Sequence, residues 1–300
     1  MERSKKEAAT TKMVVSVVAV VAMYYFAKFV APIASARLGV DRNLFGICLR
    51  SVLALVVFIA LGGARWLRPS LKAVGHAWRF MGYLIVLQVL LGAISVLSNV
   101  GTLSDAQLDA LDGDALNANL AYITVLCLFV GINEEVMFRG IFLGGLLARL
   151  GDRKSGVIAS AVISSLVFGA FHVIGSLDPS NYLTLAQGLM KTLQTGLFGF
   201  VLCVPVLEDH NIGGAISYHG FNDWVVMLGY VFTGIPETLA TYVFADTQVA
   251  GALIMVYAVM CLLYLPKAIQ AVRRLMRLEE PQLGPFMGDG APEVRGAHLG

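Results

Sequence analysis

The sequence predicts an all-α membrane protein, a polytopic helical bundle of about eight transmembrane helices. Of its 300 residues, 57% are hydrophobic and only 14% are charged, whereas a typical soluble domain carries about 25% charged residues. The mean hydropathy is +0.75, which indicates that much of the surface faces lipid. The same composition excludes the disordered and disulfide-scaffold classes.

Eight apolar runs approach the length of about 20 residues that a helix needs to cross the hydrocarbon core. The fourth run is long enough to tilt or to project from the bilayer, and a count of seven spans is the alternative. The runs are Met13–Pro32, Leu44–Gly63, Gly82–Val100, Leu120–Leu150, Gly156–Leu177, Leu183–Leu207, Ile212–Gly234 and Val249–Pro266.

The basic residues predict how these spans are oriented. Sixteen lysines and arginines lie in the segments on one side of the predicted spans, whereas Arg37 and Arg42 lie on the other. Because cytoplasmic segments carry the excess of lysine and arginine, both termini are expected in the cytoplasm of a cell-membrane protein. A net charge of +2, spread along the chain, argues against a nucleic-acid partner.

The spans also divide the chain. Residues 1–12 are a predicted cytoplasmic tail, residues 13–278 the transmembrane bundle, and residues 279–300 a flexible cytoplasmic tail rich in Gly and Pro. A basic stretch before the first span is also typical of a signal peptide. We expect a retained helix instead, because the apolar run is long, contains Lys28 and is followed by further spans.

Several ionisable residues fall inside the predicted spans, where each needs a reason because burial in lipid is costly. Lys28 and Arg50 lie near enough to span ends to extend their charges to the interface. Lys191 is ambiguous, because a small shift of its span would bring it to an interface as well. The remaining ionisable residues cluster on three spans.

The fourth span carries Glu134, Glu135 and Arg139. Glu135 and Arg139 are four residues apart, so they can form an ion pair on one helix face. Adjacent side chains diverge by about 100° around a helix, so Glu134 faces elsewhere without a local partner.

The fifth and seventh spans carry histidines. Phe168 precedes His172 by one turn, and His219 precedes Asp223 by one turn. Glu134 and His172 each lie sixteen residues from the predicted cytoplasmic end of their spans, which corresponds to about 24 Å of helix. His219 and Asp223 are shallower by this count, but tilt would allow all four side chains to occupy one layer of the bundle.

Two kinds of chemistry fit such a cluster. A carboxylate beside an imidazole can hold and deprotonate a water molecule, and a second histidine can stabilise an oxyanion. Equally, Glu134, His172 and His219 are a plausible three-ligand set for a catalytic zinc ion. The residues themselves leave both possibilities open.

The three motifs, Glu-Glu-x-x-x-Arg, Phe-x-x-x-His and His-x-x-x-Asp, resemble in their order those of the CPBP family. This family comprises CAAX prenyl proteases and bacteriocin-processing or immunity proteins and is also called Abi. The similarity extends over residues 120–234, and it implies an intramembrane peptidase, often classed as a metalloprotease, that cleaves a membrane-associated peptide or protein.

The resemblance also implies roles for individual residues. Glu134 would activate water together with His172, and His219 with Asp223 would stabilise the oxyanion. Glu135 and Arg139 would hold the site in shape, with Phe168 supporting it by packing. In the prenyl-processing branch, the resemblance implies Asn at the place of Asp223. The Asp found here therefore brings a CAAX substrate into question more than it does the fold.

Two further classes of protein fit the same residues. Intramembrane Glu, His and Asp also mark ion paths, so an ion- or proton-coupled transporter is one alternative. Against it, the sequence has no paired broken helices or inverted halves, which many transporters contain. The other alternative is a catalytically silent membrane scaffold or bacteriocin-immunity protein.

Overall fold

A computed structural model describes residues 2–235, 242–279 and 281–287 of the chain, and the regular structure within them is helical throughout. A 3₁₀ turn (Gly63–Leu67) follows the second helix, and a π-helical segment (Val136–Phe142) joins the sixth helix to the seventh. The helices are α1 (Glu2–Leu38), α2 (Arg42–Ala60), α3 (Leu71–Met81), α4 (Tyr83–Val100), α5 (Asp105–Asp109), α6 (Gly113–Glu135), α7 (Leu143–Leu150), α8 (Lys154–Phe171), α9 (Tyr182–Asp209), α10 (Gly213–Met227), α11 (Tyr230–Thr233) and α12 (Thr247–Leu275).

Seven helices of the described chain are long and apolar enough to cross a membrane, which confirms an all-α, multi-pass architecture. The continuous run from α6 through the π segment to α7 counts as one of them. These seven correspond to seven of the eight predicted spans.

The predicted seventh span, Ile212–Gly234, divides into α10 and the four-residue α11. The 15 residues of α10 cover about 22 Å, and this helix packs against α3, α4, α6 and α9. The break is stabilised by α4, since the Ser95 hydroxyl donates to the Val226 carbonyl over 2.7 Å. In the described residues the predicted seventh span is therefore a helix too short to count among the seven long ones.

The structure describes parts of both predicted tails. Helix α1 begins at Glu2, so residues 2–12 continue the first spanning helix. Within the predicted C-terminal tail, the Gln282 amide donates to the Gly151 carbonyl over 2.8 Å. Phe286 is buried and packs edge-on against Phe58. Residues 280 and 288–300 of that tail lie outside the described residues.

The π-helical segment interrupts what the sequence predicts as a uniform helix. Arg139 lies within it, and every residue of the segment is buried. The Ser164 hydroxyl of α8 donates to the Phe138 carbonyl over 2.8 Å, so a packing serine stabilises this backbone. Single-turn π segments recur at functional sites because they alter which side chains share a face.

Glycines bring the helices that carry the polar motifs into close contact. A Cβ at Gly131 of α6 would lie 2.8 Å from the Ile216 carbonyl oxygen and 2.9 Å from the Gly220 nitrogen of α10. Small residues allow such close backbone approach in membrane bundles. This contact lies one turn from Glu134 and next to His219, so it determines the distance between these two side chains.

Candidate active site

The three motifs meet where α6, α8 and α10 come together. Glu134 and Glu135 end α6, and Arg139 follows in the π segment. His172 lies at the C-terminal end of α8, and His219 lies in the middle of α10. The structure thus brings together side chains that the sequence places on three separate spans.

A fully buried chain of polar contacts forms the inner part of the site. Arg139 Nη1 donates to Glu135 Oε1 over 3.0 Å, and both side chains have no exposed surface. The same Glu135 oxygen lies 2.6 Å from Nδ1 of His219. Because a carboxylate paired with arginine accepts hydrogen bonds, Nδ1 of His219 is the donor. Its Nε2 atom is therefore left facing Glu134.

Glu134 lies between the two imidazoles. Its Oε2 atom is 3.5 Å from His219 Nε2 and 3.7 Å from His172 Nε2. These separations exceed direct hydrogen-bond lengths, but they allow all three atoms to contact one water molecule. The Glu134 side chain is 22% exposed, whereas Glu135 is sealed. Of these two adjacent glutamates only Glu134 has exposed side-chain surface, and its Oε2 atom is buried with no hydrogen-bond partner among the described residues.

His172 is oriented by its own helix. Its Nδ1 atom lies 2.9 Å from the Phe168 carbonyl oxygen, which can only accept a hydrogen bond. Nδ1 therefore carries the proton, and in the neutral ring Nε2 presents its lone pair toward Glu134.

Asp223 lies at the edge of the same cluster. Its Oδ2 atom is 3.6 Å from His219 Nε2, and its Oδ1 atom accepts a hydrogen bond of 3.0 Å from the Asn222 side chain. With these contacts the carboxylate can orient His219 or stabilise its charged form.

Phe168 packs at the centre of the site. Its ring centre lies 4.1 Å from Arg139 Cζ and contacts the rings of His172 and His219 edge-on. Gly199 of α9 leaves the space for this arrangement, because a Cβ there would overlap Arg139 Nη2 and lie 2.9 Å from the Phe168 ring. Nothing in the sequence distinguishes Gly199 from the other 30 glycines.

The structure adds two cations and an aromatic ring to the predicted site. Arg50, expected to extend to an interface, is only partly exposed, and its charge interacts with that of Glu134. The charge of Lys191 interacts with those of Glu134 and Asp223. Tyr242, from the segment before α12, places its ring centre 5.6 Å from that of His172, and no sequence signal singles it out.

Zinc is the metal that the sequence predicts at this cluster. Within the described ranges, no group of three His, Cys, Asp or Glu side chains is arranged to hold a metal ion. Glu134, His172 and His219, the predicted zinc ligands, surround a shared position, and zinc binding by them stays a prediction.

Fold and site together define a multi-pass membrane protein with a polar cluster of glutamates and histidines inside its helical bundle. Residues 116–225 match a family model described as Rce1-like, type II CAAX prenyl endopeptidase. The match contains all three motifs and confirms the resemblance to the CPBP family over just over a third of the chain. No curated protein and no solved structure matches the sequence. The family match supports protease function in general, with a membrane-associated peptide or protein as substrate.

Proposed function

We propose that this protein is an intramembrane endopeptidase in which Glu134 and His172 activate a water molecule to hydrolyse a peptide bond. The observation that carries the proposal is the position of Glu134 Oε2, within 3.7 Å of Nε2 of both histidines. A water molecule bound there is held by a base and a lone-pair acceptor, as general-base hydrolysis requires.

In the proposed reaction, Glu134 accepts a proton from water while His172 Nε2 accepts its other hydrogen bond. The water oxygen attacks the peptide carbonyl carbon, and the carbonyl oxygen becomes an oxyanion. His219, in its protonated form beside Glu135 and Asp223, donates from Nε2 to this oxyanion. Glu134 then returns its proton to the leaving nitrogen as the C–N bond breaks, giving a carboxylic acid and an amine. No step requires a metal ion.

Glu135 and Arg139 position the reacting groups in this scheme. Glu135 holds the Nδ1–H of His219 and so directs Nε2 toward the substrate. Arg139 compensates the buried charge of Glu135 and packs on Phe168.

The proposed substrate class is a prenylated protein or peptide with a C-terminal CAAX sequence, after the description of the matching family model. A leader peptide of an exported peptide is the alternative. We also propose that both termini are cytoplasmic, on the basis of the charge distribution, with α10 as a short eighth crossing of the membrane. Reporter fusions at each terminus test this orientation, and an external reporter at either end would contradict it.

Cleavage by the purified protein tests the function. We expect wild-type protein to cleave a prenylated CAAX peptide, and the Glu134→Ala, His172→Ala and His219→Ala variants to insert and fold but lose activity. Glu7→Ala is the matched control, because that glutamate is exposed near the start of α1. Wild-type turnover by any of the three variants would remove that residue from the mechanism. Ion transport without cleavage would favour an ion-coupled transporter. Absence of both activities would favour a catalytically silent scaffold.

A further inference from the structure

Lys191 of α9 is a cation beside the site that the proposed chemistry does not use. Its ammonium group lies over the Tyr242 ring, which in turn contacts the His172 ring, so it lies beside the same polar space. Nζ donates to Gln194 Oε1 over 3.1 Å. In the described residues no carboxylate forms an ion pair with it. An ammonium group has three donors, so two remain available.

Two aromatic rings hold the ammonium group in place. Nζ lies 4.4 Å from the ring centre of Tyr242 and 5.3 Å from that of Tyr257. Cation–π contacts of this length stabilise a partly desolvated lysine. The Tyr242 ring also contacts His172, with ring centres 5.6 Å apart. One aromatic ring therefore separates Lys191 from the histidine that orients the attacking water.

The segment that carries Tyr242 is anchored on both sides. The Gln187 side chain, one turn before Lys191 and fully buried, donates to the Phe244 carbonyl over 2.7 Å and accepts from the Phe244 amide over 3.0 Å. The Tyr257 hydroxyl donates to the Tyr242 carbonyl over 3.1 Å. These bonds fix the ring of Tyr242 between the lysine and His172, so the position of the cation is built into the fold.

The distance between Lys191 and His172 matches the length of two or three residues of an extended peptide. An extended chain advances about 3.3 Å per residue, so two or three residues span roughly 7–10 Å. The two ring contacts, 4.4 Å and 5.6 Å, place Lys191 within that distance of His172. A peptide with its scissile bond at Glu134 would reach Lys191 with a group two or three residues from the cut, and a free C-terminal carboxylate exists only on the leaving side.

Building on the proposed function, we propose that Lys191, caged by Tyr242 and Tyr257, binds a carboxylate of the substrate on the leaving side of the scissile bond. The free C-terminal carboxylate is the source that the spacing favours, and an acidic side chain at the same distance is the other source. Lys191 is thus a specificity-determining residue that selects bonds close to a C-terminus.

Three matched peptides test this inference in the cleavage assay. They are a prenylated peptide with three residues after the scissile bond and a free C-terminal carboxylate, its C-terminal amide, and the amide with an aspartate as its last residue. For wild-type protein we expect kcat/KM to be about 10- to 100-fold higher for the acid than for the amide, the range for one charge-assisted hydrogen bond. If the amide that ends in aspartate is cleaved faster than the plain amide but the free acid is not, Lys191 recognises a side-chain carboxylate.

Substitutions separate recognition from folding. Lys191→Met should lower kcat/KM for the acid far more than for the amide, so that the two peptides are cleaved alike, and Lys191→Arg should restore part of the preference. Lys28→Met is the matched control, because Lys28 is an exposed lysine of α1. An equal loss on acid and amide would show a merely structural role, and an unchanged preference would exclude Lys191 from recognition. Either result overturns the inference.

Binding to the Glu134→Gln variant provides a readout without turnover. We expect this protein to bind the acid more tightly than the amide, and the added Lys191→Met substitution to abolish the difference. Equal binding of acid and amide would refute the carboxylate site even if the wild-type protein is an active protease. Absence of cleavage by wild-type protein, together with discriminating binding, would instead refute the proposed function alone.

Discussion

Arg139→Ala is expected to destabilise the whole bundle rather than merely to slow a reaction. Arg139 and Glu135 are both fully buried and joined by a 3.0 Å bond. The substitution leaves Glu135 with the His219 Nδ1–H as its remaining partner. It also removes the group that packs 4.1 Å above the Phe168 ring.

The magnitude follows from the burial of the pair. Removing one partner of a buried ion pair costs about 3–5 kcal/mol, because the other charge is left uncompensated. A loss of this size lowers Tm by on the order of 10 °C for a domain of this length class. The double variant Glu135→Gln/Arg139→Ala should recover part of the loss, because its buried carboxylate is gone.

Thermal unfolding of the purified protein in detergent measures these effects, with the folded yield as a second readout. Arg153→Ala is the matched control: the Arg153 side chain is 79% exposed, and surface substitutions usually change stability by less than about 0.5 kcal/mol. A wild-type Tm for Arg139→Ala would refute the view that this pair supports the site. Equal losses in the single and double variants would show that the uncompensated charge is not the cause.

Three further predictions concern packing and metal. Gly199→Ala should cost about 1–3 kcal/mol by overpacking and reduce kcat, because the new methyl group displaces the Arg139 guanidinium. Gly251→Ala, where a Cβ meets no atom within 4 Å, should show neither loss in the same assays. Ser164→Ala should cost about 1 kcal/mol, because the Phe138 carbonyl loses its donor; unchanged unfolding would contradict this. Chelation should leave peptide cleavage intact once elemental analysis shows no metal, and activity lost on chelation and restored by zinc would overturn the metal-free reaction.

The sequence by itself predicted the helical membrane class and which residues carry the motifs. Composition and apolar run length determine whether a helix is stable in lipid, and both can be counted along the chain. The Glu135–Arg139 pair was predictable in the same way, because four residues on one helix set its geometry. Seven of the eight predicted spans correspond to long helices for this reason.

Tertiary structure alone decided which of these groups meet and how. The bond from His219 to Glu135 joins residues 84 positions apart, and no local periodicity encodes such a contact. Where the predicted seventh span divides, Ser95 of another helix donates to the Val226 carbonyl. The space that Gly199 leaves for Arg139 depends on a neighbouring helix in the same way.

The surroundings of a charged residue inside a span show most clearly what the sequence alone does not determine. A charge inside an apolar run can extend to the membrane surface or turn into the bundle, and the run itself has the same composition in either case. For Lys191 the outcome depends on Tyr242, which comes from a distant part of the chain. Local sequence thus determined the helices and their motifs, whereas the packing between helices determined the electrostatic surroundings of the site.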